Sequence, residues 1–290
     1  MSFAAFCTLA TAGCAGGTEM DVDGVSRAEQ ALSALPTLGA ASSFAVLANQ
    51  AVTCTDASII GSVGTNQATP TGSVTQTNCP VIGAVEVGTL ASRAAYASFL
   101  TAYDALEAQP CDRYLTGTLA GVILAPGTYC FTAAATLTGT LTLDGPSTAS
   151  WLFKVGTLGT GALTGTSFNV QMANGGSACN VSWWVAEAAT LTDSNFVGNL
   201  FAGAADTVTR GTFEGRTFSK ADVTLTGAAM VGCVGGIIGG GPGDVKPPKK
   251  AKCNQGVGNG AEGCDPGNSN HNQPSNDETG GTPGKPGRKP

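Results

Sequence analysis

The chain has few charged side chains and a single histidine, and these absences exclude several classes of protein. Only 12% of its 290 residues are charged, about half of the usual share. With 14 Lys and Arg residues against 20 Asp and Glu, it has no excess positive charge to neutralise phosphates, so we expect no nucleic-acid partner. The one histidine, His271, lies in a low-complexity tail, which argues against His-based triads and metal sites. We expect no cofactor and no metal.

Long hydrophobic runs are also missing, and none reaches the length of a transmembrane helix. Residues 2–15 form a short apolar run that ends in small residues, which is typical of a signal peptide, although no Lys or Arg precedes Arg27. The segment Thr11-Ala12-Gly13-Cys14 resembles a bacterial lipobox, with Thr where Leu is usual. We therefore expect a secreted or outer-surface protein, with a lipid anchor at Cys14 as a further hypothesis.

The ten cysteines contain no CxxC pair, which argues against zinc and thioredoxin-type redox sites. In an exported protein they predict disulfides instead. The pairs that we favour are Cys54 with Cys79, Cys111 with Cys130, Cys179 with Cys233, and Cys253 with Cys264. Sequence alone cannot fix the connectivity.

Composition divides the chain into three parts. Residues 1–36 are the export segment and a spacer, 37–233 are rich in Thr, Val, Leu and Gly, and 234–290 are a Gly/Pro/Asn-rich tail that cannot bury a core. The stretch CDPGNSNHN in the tail has spaced oxygen side chains of the kind that bind calcium. A turn-rich segment is the commoner meaning of such a stretch, and we predict a flexible tail.

One helix is predicted within the central part, over about 90–109. Its apolar side chains recur at helical spacing, Thr89 can cap its start, and Pro110 ends it. The stripe consists of Tyr96, Phe99, Leu100, Tyr103 and Leu106. We expect this amphipathic helix to pack on other elements of the fold.

An internal repeat of 17 residues follows the helix. The segments TLTDSNFVG from 190, TVTRGTFEG from 207 and TLTGAAMVG from 224 align without gaps. Looser copies occur upstream as Thr136-Leu137-Thr138 and Ala162-Leu163-Thr164. Because alternate side chains of a strand face opposite ways, the Thr-x-Thr pairs point outward and the residues between them point into a core. A fixed period with constant parity predicts a β-helix with about three short strands in each coil.

Several segments carry a family resemblance. They include LGAASSFAVLANQAVTC at 38–54, IIGSVGTN at 59–66, PCDRYLTGTLAGVILAPGTYCF at 110–131, LTGTLTLDG at 137–145, WLFKVGTLGTG at 151–161 and ACNVSWWVAEAATL at 178–191. Together they resemble the ice-binding-like family known as DUF3494. The resemblance implies a mainly β fold, a discontinuous right-handed β-helix of triangular cross-section with one long α-helix packed along its axis. It also implies a secreted or surface-attached microbial protein that binds ice, inhibits its growth or recrystallisation, or anchors a cell to it.

The outward threonines are the candidate ice-binding residues. Stacked Thr-x-Thr pairs form a flat lattice, and threonine combines a methyl group with a hydroxyl on a stiff side chain. The candidates are Thr190, Thr192, Thr207, Thr209, Thr224 and Thr226, with Thr138 and Thr164 from the looser copies. The expected partner is an ice crystal surface or ordered water, and we expect a monomer.

Charged residues interrupt this pattern in places. Asp193 and Arg210 end two of the Thr-x-Thr strands, whereas Glu214, Arg216 and Lys220 are expected to mark a charged neighbouring face. We therefore expect the Thr-x-Thr face, and not the charged one, to meet ice.

Two alternatives remain open. Outward threonine ladders stabilise any β-helix, so the chain also fits a secreted or surface-anchored adhesion protein without ice affinity. A polysaccharide-cleaving enzyme is the third class, because some β-helices cleave sugars with clusters of Asp, Arg and Lys. The residues available for such a cluster are Asp206, Asp222, Arg210, Arg216 and Lys220. They spread over two coils and different faces, so we expect no enzyme activity.

Overall fold

The computed structural model describes residues 35–233. The export segment with Cys14, the tail, and the Cys253 and Cys264 pair lie outside the described residues, so these predictions and the domain limits stay predictions. Seventeen parallel strands and one α-helix are described. In chain order they are β1 (Phe44–Ala48), β2 (Ala51–Thr55), β3 (Ser58–Ile60), β4 (Ser62–Thr65), β5 (Ser73–Thr77), β6 (Val81–Ile82), β7 (Val85–Val87), α1 (Leu90–Glu107), β8 (Arg113–Tyr114), β9 (Val122–Leu124), β10 (Gly127–Phe131), β11 (Ala135–Asp144), β12 (Trp151–Val155), β13 (Leu163–Ala173), β14 (Val181–Val185), β15 (Ala189–Ala202), β16 (Asp206–Ser219) and β17 (Val223–Val231).

The strands form a β-helix with three faces, as predicted. Within β16, residues 206–209, 212–214 and 216–219 each lie on a different face, and in-register pairing with β15 and β17 extends these faces along the axis. We name them the Thr face, the Asn face and the helix face. The Thr face contains β2, β5 and the first parts of β11, β13, β15, β16 and β17. The helix face contains β1, β4, β7, β8, β10, β12, β14 and the last parts of β15 and β16.

The order of coils along the axis is not the order of the sequence. Strand β17 pairs with β2 and β3, and β16 pairs with β1, so the last coils of the chain stack on the first ones. Helix α1 has 18 residues and is about 27 Å long at about 1.5 Å per residue. That length spans five to six strand spacings of about 4.8 Å. The helix therefore carries the chain past several coils, and β8–β17 then build back towards the starting coils.

Helix α1 agrees closely with the predicted segment. The Thr89 side chain accepts a hydrogen bond from the Ser92 backbone amide at 3.2 Å, and the predicted apolar side chains Tyr96, Phe99 and Tyr103 are buried. Phe99 packs on Phe201 of the helix face, with 6.3 Å between ring centroids. The helix thus covers one face of the β-helix and leaves the Thr face free of it.

The carboxyl end of α1 is held by a lysine of the helix face. Lys154 Nζ donates to the carbonyl oxygens of Glu107 and Gln109, at 2.6 and 2.7 Å. A cation at this end satisfies carbonyl groups that have no partner within the helix and interacts favourably with the helix dipole. Burial lowers the pKa of Lys154.

The interior of the β-helix is filled by large apolar side chains. Phe153 stacks on Trp183 with 4.0 Å between centroids, and Phe196 packs on Phe213 at 5.0 Å. Asp206 is an exception, because it is fully buried and its Oδ2 accepts a hydrogen bond from Thr217 while Oδ1 has no partner. Burial raises the pKa of Asp206 to about 7.

Three disulfides close loops of the β-helix. They join Cys54 to Cys79, Cys111 to Cys130, and Cys179 to Cys233, which are three of the four predicted pairs. Their Cα atoms are 5.7–5.8 Å apart, within the normal range for a disulfide. Over residues 35–233 none of the helices has both the length and the hydropathy needed to cross a membrane.

Candidate functional site

The Thr face carries two columns of threonine that run parallel to the axis. Each strand contributes one threonine to a column, and neighbouring strands pair these residues directly. The first column, in order along the axis, is Thr136, Thr164, Thr190, Thr207, Thr224, Thr53 and Thr75. The second is Thr166, Thr192, Thr209, Thr226, Thr55 and Thr77.

The two columns form a flat rectangular array. Neighbouring strands lie about 4.8 Å apart, and residues i and i+2 of one strand lie about 6.7 Å apart. In six of the seven strands the residue between the two threonine positions is buried in the core. Because Leu191, Val208 and Leu225 fill the interior, the threonines on either side of each must point to solvent.

Thr138, one of the candidates from the sequence, departs from this array. It follows Thr136 at the correct spacing, but the register of β11 against β13 shifts between Leu137 and Gly139. The structure thus brings seven of the eight candidate threonines into the paired columns and places Thr138 at their margin.

The residue that follows each Thr-x-Thr pair turns the chain towards the Asn face. In all seven strands this corner residue has a positive φ, between 48° and 70°. The corner residues are Gly139, Ser167, Asp193, Arg210, Gly227, Asp56 and Asn78. Glycine, Asn and Asp adopt such angles most readily, which explains the composition of this corner.

The corner also explains the two charges that interrupt the threonine pattern. Asp193 and Arg210 stand next to each other in the corner column and form an ion pair, with 2.6 Å between Arg210 Nε and Asp193 Oδ1 and 2.8 Å between Nη2 and Oδ2. The Arg210 side chain lowers the pKa of Asp193. The pair therefore lies at the border of the Thr face and is internally neutralised.

The prediction of one charged neighbouring face is wrong. Glu214 is exposed on the Asn face, but Gly215, with φ of 147°, turns the chain again before Arg216. Arg216 is only 8% exposed. Lys220 lies at the next corner, 3.6 Å from the centroid of the Tyr103 ring. Because a face is only about four residues wide, charges two to six residues apart fall on different sides.

The Asn face carries a shorter polar ladder. Thr212 Oγ1 donates to Asn195 Oδ1 at 2.8 Å, and Asn195 Nδ2 donates to Asn169 Oδ1 at 2.7 Å. The five residues considered for polysaccharide cleavage are not brought together. Asp206 is inside the β-helix and Arg216 is under the helix-face loops, whereas Arg210 is exposed at the corner beside the Thr face. Within the described residues no group of acidic, His or Cys side chains is arranged to hold a metal.

Sequence reasoning missed six threonines of the two columns, namely Thr53, Thr55, Thr75, Thr77, Thr136 and Thr166. All six belong to Thr-x-Thr pairs that are visible in the sequence. Their coils, however, are longer than 17 residues, with 28 residues from Thr136 to Thr164 and 22 from Thr53 to Thr75. A search for the motif without a fixed period would have found them.

A β-helix whose one open face is a regular threonine array defines a class of protein that binds flat, ordered surfaces. Within that class, the model of the ice-binding-like family matches residues 46–231, so the chain belongs to this family. An ice-binding protein of Nostoc sp. (strain HG1) is 35% identical over 190 residues, which cover 63% of this chain and 68% of that protein.

An ice-binding protein of Flavobacterium frigoris (strain PS1) is 30% identical over 210 residues, covering 66% of this chain and 74% of that protein. Among solved structures, the ice-binding protein of the Antarctic ascomycete Antarctomyces psychrotrophicus superposes with a TM-score of 0.62 at 33% identity. That match covers 67% of this chain and 96% of the fungal one.

Proposed function

We propose that this protein binds ice through the Thr face. The observation that carries the proposal is the pair of in-register columns, with seven threonines in the first and six in the second. Its membership of the ice-binding-like family and the named activity of its relatives support the same function.

The chemistry of the array suits ice. Its spacings of about 4.8 Å and about 6.7 Å are of the order of the oxygen repeats in ice. Each methyl group orders neighbouring water, and each hydroxyl can join the ordered layer. Because χ1 of threonine is restricted, the array keeps its regularity at little entropic cost. The outward side chains of the two columns are uncharged, and charges would orient water in their own geometry.

The array is also rigid, which a template for ordered water requires. Every strand of the Thr face has an in-register neighbour, and the buried aromatic side chains beneath it are closely packed. Cys54, which lies between Thr53 and Thr55, is covalently joined to Cys79. The terminal coil is thereby fixed to its neighbour.

The rest of the proposal concerns how the protein works. It acts by binding and not by catalysis, as a monomer, after export to the medium or the outer cell surface. The apolar run at residues 2–15, the disulfides and the low charge of the chain support export. A lipid on Cys14 is one means of keeping the exported protein at the surface.

Ice shaping on a cold-stage microscope, together with recrystallisation in a frozen sucrose solution, tests the proposal. We expect the purified protein to produce faceted crystals and to keep ice grains small. If it neither shapes ice nor slows recrystallisation, the adhesion alternative replaces this proposal. A sugar-release assay on plant and microbial polysaccharides tests the absence of catalysis, and released sugar would contradict it.

A further inference from the structure

The described chain begins on the helix face. Leu35, its first residue, is partly buried against the cluster formed by α1 and the helix face. It lines a cavity of about 120 Å³ together with Leu106, Cys179 and Asn199. Cys179 and Asn199 lie at or just before the start of the helix-face segments of their coils, close to the corner that joins the helix face to the Asn face.

The described chain ends at the same place. Cys233, its last residue, is buried and is joined by a disulfide to Cys179. Its carbonyl oxygen accepts a hydrogen bond from Arg216, which also donates to the carbonyl of Ser42 and to Oδ1 of Asn199, each at 3.1 Å. One residue, Cys179, therefore lines the cavity with Leu35 and is bonded to Cys233.

This place is a corner of the β-helix, which we name the exit corner. Gly198, Gly215 and Gly232 turn successive coils there, and Cβ atoms added at the first two would meet the Val181 side chain at 3.0 Å and the Gly198 carbonyl oxygen at 1.9 Å. The exit corner joins the Asn face to the helix face. In a three-sided solenoid the corner between two faces lies opposite the third, which here is the Thr face.

We propose that the protein holds ice while it is itself tethered from behind, through the segments that flank residues 35–233. This inference rests on the proposed binding of ice by the Thr face. A flat crystal plane can meet that face only if nothing projects beyond it. An attachment at the exit corner leaves the whole Thr face free, whereas an attachment beside the Thr face stands between the array and the crystal.

Oriented attachment to beads tests the inference with the full chain. A 15-residue biotin acceptor peptide, a size chosen by analogy with tolerated insertions at exposed loops, is inserted between 34 and 35, between 233 and 234, or beside Gly159. The last position is the matched control, because the loop at 156–161 joins the helix face to the Thr face and a Cβ at Gly159 would meet no other atom. Each variant is assayed for ice shaping in solution, then coupled to streptavidin beads and assayed for adhesion of the beads to ice.

We expect all three variants to shape ice in solution. Beads coupled through either side of the exit corner should adhere to ice, and beads coupled beside Gly159 should adhere at least about tenfold less, the factor that corresponds to about 1.4 kcal/mol. Equal adhesion by all three, or failure of both exit-corner variants on beads, overturns the inference. If no variant and not even the unmodified protein shapes ice in solution, the proposed function itself has failed, which is a different result.

Discussion

Replacing Thr209 by Tyr tests the Thr face at its centre. Thr209 belongs to the second column, between Thr192 and Thr226, and its side chain points to solvent because Val208 next to it fills the core. The tyrosine ring projects beyond the plane of the threonine methyl groups. A flat crystal can then touch the ring or the array, but not both.

The size of the effect follows from contact distances. Dispersion contacts are optimal at about 3.5–4.0 Å between carbon atoms, and a gap of about 0.5–1 Å loses about a quarter to a half of their energy. The ring lifts a flat plane by more than this over the neighbouring threonines. Losing only about 1.4 kcal/mol weakens binding about tenfold, and we expect at least this loss. The free energy of unfolding should change by no more than about 0.5 kcal/mol, because the side chain is not in the core.

Thr212→Tyr is the matched control. It makes the same change in the same strand, at an exposed residue of the Asn face. Thermal hysteresis and ice shaping are measured for both variants, with circular dichroism and melting to confirm the fold. Thr209→Tyr should lose most activity and Thr212→Tyr should keep it. Full activity of Thr209→Tyr with loss in Thr212→Tyr would show that the Asn face, and not the Thr face, meets ice.

Three further predictions concern the fold. Arg216→Ala leaves buried acceptors unpaired at the exit corner and should lower the free energy of unfolding by about 1–3 kcal/mol, whereas Glu214→Ala, on the exposed Asn face, should change it by no more than about 0.5 kcal/mol; equal melting temperatures would refute this. Because burial raises the pKa of Asp206 from 3.8 to about 7, the folded state holds the proton more tightly than the unfolded state, so stability should fall as pH rises from about 4 to about 7 and then level off. Urea unfolding across that range should show the slope in the unmodified protein and a smaller slope in Asp206→Asn. Deleting residues 243–290 should leave the melting temperature almost unchanged, and a large decrease would mean that the tail packs on the coils.

The helix and the central coils could be predicted from the sequence because their signals are local. The stripe from Tyr96 to Leu106 repeats at the helical period, and the Thr89 cap and Pro110 mark its ends. In the coils around β16, each corner uses a single residue or a short turn, so the 17-residue period survives and fixes the pairing of Thr190 with Thr207 and Thr224. The inward and outward positions followed from parity alone.

The remainder of the Thr face was hidden from periodicity for a topological reason. Thr224 pairs with Thr53, residues that are 171 positions apart, because α1 carries the chain to the far end of the solenoid before the later coils return. No repeat length expresses this contact, since it depends on where the returning coils stop. The position of the stop is set by stacking, with β17 covering the edges of β2 and β3 that would otherwise expose unpaired backbone groups. The same closure completes the Thr face, because it joins Thr53, Thr55, Thr75 and Thr77 to the columns built by the repeat. The extent of the proposed ice-binding surface is therefore a property of the discontinuous fold and not of the repeat.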